Sequence, residues 1–153
     1  VDSPNLWITE VKSGKLHSNK SSDQTMNDLI GTAKRDLEER LNEENMSLWL
    51  EAINGAKVSF DSNNTMKSAV INILETWGDD ASDGIYSSHD KNVILAGFLF
   101  SNLSDVIASE NANRKQQQIE NEQIFNQVCV LALQKETYSK VYAFLKEEAS
   151  DEE

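Results

Sequence analysis

One cysteine in 153 residues excludes an intramolecular disulfide, and one proline leaves no proline-rich linker to divide the chain. Six glycines scattered singly cannot form a phosphate cradle, and neither a Gly-x-Gly-x-x-Gly nor a Walker pattern occurs. The two histidines, His17 and His89, lie in no nucleophile or zinc motif. No apolar run approaches the roughly 20 residues of a membrane span. Basic residues are also scarce: 14 Lys and Arg face 26 Asp and Glu, a net charge of −12, and no segment is strongly basic. Direct nucleic-acid binding and membrane insertion are therefore not expected.

What remains suits one globular domain, with 39% hydrophobic and 26% charged residues. The sequence opens on Val1 rather than Met, as it would after removal of a targeting segment. Cys129 sits in the apolar stretch Val128 to Leu133, which favours a reducing, cytoplasmic setting.

Residues 1–20 hold the proline and the alternating segment Leu6 to Val11, and read as an extended N-terminal arm. Ser21 followed by Gln24 is a capping box, after which Met26, Leu29, Ile30, Ala33, Leu37 and Leu41 recur at helical spacing. The stripe skips from Leu41 to Met46, which predicts two helices or one kinked helix, with Gly55 as the stop. Lys57 to Phe60 alternates and could pair with residues 6–11 as a two-stranded ribbon. Asp61 to Asn64 offer cap oxygens to a helix carrying Met66, Val70, Ile73, Leu74 and Trp77 and ending at Gly78. A further helix opens at Ser87 to Asp90 and carries Val93 to Ile107 as the most buried element. Residues 109–118 contain no large apolar side chain and read as an exposed loop or a projecting helix. Ile124 to Leu145 predicts a long final helix, followed by an acidic, frayed tail at 148–153. The expected fold is all-α: a single-domain bundle of four to six helices, its helical domain spanning residues 21–147.

The most motif-like stretch, Asp79 to Asp90, half-resembles a calcium-binding loop, with Asp79, Asp83, Gly84 and Asp90 in place and Ala81 where an oxygen ligand belongs. The plainer reading is a helix end, a turn and a cap. Paired carboxylates on amphipathic helices read as solvated faces, so the sequence predicts no catalytic residues, no metal site, no cofactor and no enzyme. The leading expectation is an acidic helical protein-binding module for a partner with a basic surface, such as an inhibitor or immunity-type antagonist of a nucleic-acid-acting protein. Its contact residues would be Glu38, Glu39, Glu43, Glu44, Asp79, Asp80, Asp83 and Trp7. The alternative is a calcium-binding regulator using residues 79–90. A third class is a hydrolase, recognisable only from a pocket enclosing two carboxylates. The oligomeric state is left open.

Overall fold

The computed structural model describes residues 4–61 and 65–150, apart from the side chains of 137–139, 142 and 148–150. The cap oxygens expected at 62–64 and the tail end at 151–153 lie outside the described residues. In chain order the elements are β1 (Trp7–Lys15), α1 (Ser22–Leu41), α2 (Met46–Ser59), α3 (Thr65–Ser82), β2 (Asn92–Phe100), α4 (Ser109–Asn121), β3 (Gln127–Lys135) and α5 (Thr137–Ser150).

The fold is therefore mixed α/β, with five helices and three strands among the described residues, and the all-α helical bundle expected from the sequence is incorrect. Three strands form one parallel sheet in the order β1-β2-β3. The physical reason for the discrepancy lies in β2. Both faces of this strand carry apolar side chains, Val93, Leu95 and Leu99 on one and Ile94, Ala96, Phe98 and Phe100 on the other, so Val93 to Phe100 shows no alternation and looks like the core of a buried helix. β3 hides in the same way, because Val128 and Val130 fill one face while Cys129, Leu131 and Leu133 make the other apolar. The expected ribbon does not form either: residues 57–59 close α2, and β1 pairs with β2 from Trp7 opposite Asn92 to Lys15 opposite Phe100.

Elsewhere local signals decide. The Ser21 side chain accepts from Gln24 N–H, and the Gln24 side chain accepts from Ser21 N–H, giving the capping box that starts α1. The helix stops at Asn42, and Asn45 caps α2 through Leu48 N–H. α2 and α3 run past Gly55 and Gly78, the glycines read as stops; Gly78 instead sits against Trp49. Residues 87–90 form a turn that leads into β2 rather than a helix start.

Strand register fixes what each face does. Ile8, Val93 and Val128 lie side by side and point toward the helices, as do Leu95, Leu99 and Val130. They meet Met26, Ile30, Ala33 and Leu37 of α1 and Ile119 of α4, all nearly or fully buried. Each large apolar side chain removed from water there contributes about 1.5–3 kcal/mol. α1 spans β1 and β2, and α4 covers β3. α4 joins by polar contacts rather than an apolar stripe: Asn27 and Asn111 exchange amide hydrogen bonds of 3.1 and 3.0 Å, and the Gln116 side chain accepts from Val130 N–H. α2 and α3 form a hairpin in which Trp49 and Trp77 meet edge to face, ring centroids 5.4 Å apart.

α1 approaches the sheet closely at Gly97. A Cβ there would fall 2.3 Å from Met26 Sδ and 3.3 Å from Ile30 Cγ1, and both side chains are fully buried. Gly97→Ala is predicted to lower unfolding stability by about 1–3 kcal/mol through overpacking. Urea denaturation followed by circular dichroism measures this, and an unchanged midpoint would contradict the packing described.

Candidate functional site

On β1 the side chains facing α1 are Ile8, Glu10, Lys12 and Gly14, since alternate residues of a strand share a face. Two of these four inward positions are charged, where the neighbouring strands present Leu95 and Val130 beside Glu10, and Gly97 and Ala132 beside Lys12. α1 brings Asp36 and Arg40 opposite them, one helical turn apart on the flank of the Ala33, Leu37 and Leu41 stripe.

The four groups converge. Lys12 Nζ lies 2.8 Å from Glu10 Oε1 and 2.8 Å from Asp36 Oδ2, so one ammonium bridges two carboxylates. Arg40 donates to the other oxygen of Glu10 through its terminal guanidinium nitrogen, and its Nε donates to the Asp36 carbonyl at 3.3 Å. Glu10 is the enclosed member, its side chain 12% exposed, while Asp36 and Arg40 stand at 36% and 38% and open the cluster to solvent. Hydrogen bonds to Asp36 and then Glu10 raise the Lys12 ammonium above its ordinary 10.5, against a smaller opposing effect of burial. The hydrogen bond from Lys12 holds the Asp36 carboxyl below its ordinary 3.8.

None of these four residues was singled out by sequence. The available signal was Glu10-Val11-Lys12, an acid and a base two apart in a segment that alternates. Nothing in the sequence links that pair to Asp36 and Arg40.

The residues expected to contact a partner are dispersed. Glu38, Glu39 and Glu43 line one open cleft of about 470 Å³ with Arg35 and Asn42, on α1 and the turn after it. Glu44 is exposed in the same turn. Asp79 borders a cleft of about 330 Å³ between α2 and α3, beside Met46, Leu50 and Lys57. Asp80 borders a smaller cavity of about 60 Å³ with Trp49, Trp77 and Lys91, whose Nζ stands 4.6 Å from the Trp77 ring centroid. Asp83 is exposed just past α3. Trp7 lies on β1 beside Phe125 and Asn126, at another cleft of about 470 Å³. In the stretch resembling a calcium loop, Asp79 and Asp80 belong to α3, and Asp90 is paired with Lys91 at 2.7 Å. Among the described residues no three His, Cys, Asp or Glu side chains form a metal-binding group. Nor is any helix among them long and apolar enough to cross a membrane.

Comparison with known proteins returns no matching family model, no similar curated protein and no similar solved structure.

The shared ammonium has a pH consequence. Because Asp36 has a lower pKa in the folded chain, its contribution is present above the ordinary carboxylate value and is lost as pH falls through the folded value. The stability difference between wild type and Asp36→Asn is therefore predicted to shrink as pH drops below about 4. Denaturant midpoints of the two proteins at neutral pH and near pH 3 check this, and a constant difference would contradict the coupling to Lys12.

Proposed function

We propose that the Glu10, Lys12, Asp36 and Arg40 cluster is a divalent-metal-assisted site for phosphodiester hydrolysis. The observation that carries the reading is the Lys12 ammonium held between two carboxylates at the solvent-open edge of an otherwise apolar layer. This departs from the expectation of a non-enzymatic module.

The chemistry of the donor set supports it. An edge strand can use inward charges simply to discourage unwanted strand pairing. One charge serves that purpose, whereas here four charges are linked and one of them, Glu10, is enclosed, where an apolar residue would avoid a desolvation cost. Two carboxylates are too few for a closed protein cage, but magnesium is commonly held by one or two carboxylates, with water and substrate phosphate completing its shell. Glu10 and Asp36 are the oxygen donors available for that role. When bound, the metal would polarise a phosphoryl oxygen and lower the pKa of a coordinated water. Lys12, which pairs with both carboxylates, would donate to a non-bridging phosphate oxygen as negative charge develops there. Arg40 is a positioning residue that fixes the far oxygen of Glu10. In the reaction water adds to phosphorus, the P–O ester bond breaks, and the departing oxygen takes a proton. A diester is favoured over a monoester because it carries one negative charge, which a site with two cations and two carboxylates accepts more readily in a chain of net charge −12.

The test uses bis(p-nitrophenyl) phosphate and single- and double-stranded oligonucleotides with magnesium or manganese. Metal-dependent cleavage is expected, with Glu10→Gln, Lys12→Met and Asp36→Asn each losing at least about 100-fold and Arg40→Lys losing less. Absence of cleavage with either metal on all three substrates would contradict the reading.

The acidic binding module remains a second proposal, favoured by the cleft in which Glu38, Glu39 and Glu43 converge. On this reading the cleft receives Lys or Arg side chains of a partner protein, such as a nucleic-acid-acting one. Capture of a basic protein that weakens steeply with salt, and is lost in a Glu38→Gln, Glu39→Gln, Glu43→Gln triple variant, is the expected outcome. Salt-insensitive capture would contradict it.

A further inference from the structure

The side of the sheet away from α1 and α4 is largely exposed along β1 and β3 among the described residues, while α5 comes close to β2. Its strand positions include Val11, Ile94, Phe98, Cys129, Leu131 and Leu133, none of which joins the buried cluster on the helical side. Val11, Leu131 and Leu133 are between two-fifths and half exposed. Parallel sheets are almost always covered on both faces, so a face of this composition calls for an occupant.

Three observations indicate which occupant. First, in a chain with 26 acidic residues the outward positions of all three strands carry no Asp or Glu, and their only charges are Lys15 and Lys135 at one end. Contact through these strand positions sets no carboxylate of the sheet against a second chain of charge −12. Second, α5 follows β3 after the single residue Glu136 and presents Val141, Phe144 and Leu145, each more than half exposed. Returns from a strand to a helix packed on the same sheet generally take about 2–6 residues, so this link is short for α5 to fold back on its own sheet. The first turn of α5 is also pinned to Glu136, which pairs with Lys140 at 2.9 Å. Third, three nine-residue strands offer a flat footprint of about 420 Å² and a 14-residue helix a stripe about 21 Å long. A helix about 10 Å across covers about 210 Å² of such a sheet, so two symmetric contacts counted on both sides bury about 840 Å² of flat area, the size of a weak, concentration-dependent pair.

We propose that this sheet face and the apolar side of α5 together form a self-complementary surface for a second copy of this chain, α5 of each molecule lying on the sheet of the other. The arrangement closes as a two-fold pair, because each molecule gives one helix and receives one.

Light scattering across roughly 1 to 200 µM tests it, with alkylation of Cys129 as a site-specific reporter, since this only thiol lies on the proposed surface. The expected result is a mass that rises to twice the chain mass, with Cys129 labelling slowed at least about tenfold at the upper concentration. Leu131→Asp and Phe144→Asp should both hold the protein monomeric and restore fast labelling. Should Leu131→Asp disturb folding, Phe144→Asp still decides, because Phe144 is exposed and absent from the buried cluster. A monomer with fast labelling throughout would overturn the proposal, as would a monomer whose Cys129 is protected at every concentration, which would mean that the chain covers its own sheet.

Discussion

Everything assigned to the site depends on the inward side of β1 being shared between packing and charge. Parallel pairing with β2 gives that strand a fixed register, and the register alone decides that Glu10 and Lys12 face α1 while Val11 faces away. A slip of one residue would put Val11 against the helix and expel both charges. The close approach of α1 at Gly97 holds the helix against the sheet, and Asp36 and Arg40 are carried to the strand by the same placement.

The position is costly by the ordinary rules of a core. Ile8 keeps the start of β1 apolar, and the next two inward places are given to an acid and a base, where the other strands carry Leu95 and Val130 and then Gly97 and Ala132. Burying a charge is tolerable only when partners satisfy it, and Glu10 has both oxygens engaged, one by Lys12 and one by Arg40. Lys12 in turn depends on Asp36. The network is satisfied but not closed, because Asp36 and Arg40 reach solvent.

How much of this could be read in advance follows from the range of each interaction. The start of α1 was legible because a capping box involves residues three apart, Ser21 and Gln24. The break between α1 and α2 was legible because the apolar stripe loses its phase at Leu41 to Met46. β2 and β3 were not, because apolar residues on both faces of a strand erase the two-residue period that identifies it. Residues 109–118 were legible only as a loop or a projecting helix, and their packing on β3 was not, because α4 attaches through Asn111 and Gln116 and its stripe contains little that is apolar besides Ile119. Of the site, only Glu10-Val11-Lys12 had a local signature. Its partners lie more than twenty residues along the chain, and a helix with several acids and bases gives no hint of which will face a strand. The acidic residues singled out by composition, Glu38, Glu39 and Glu43 among them, instead line a separate cleft.

Isothermal titration of magnesium into the purified protein tests the central claim most directly, with a non-hydrolysable phosphodiester analogue present. The account predicts saturable heat that disappears in Glu10→Gln and in Asp36→Asn and survives in the Glu38→Gln, Glu39→Gln, Glu43→Gln triple variant. Heat that is absent from the wild type, or that follows the α1 cleft and ignores Glu10 and Asp36, would contradict it.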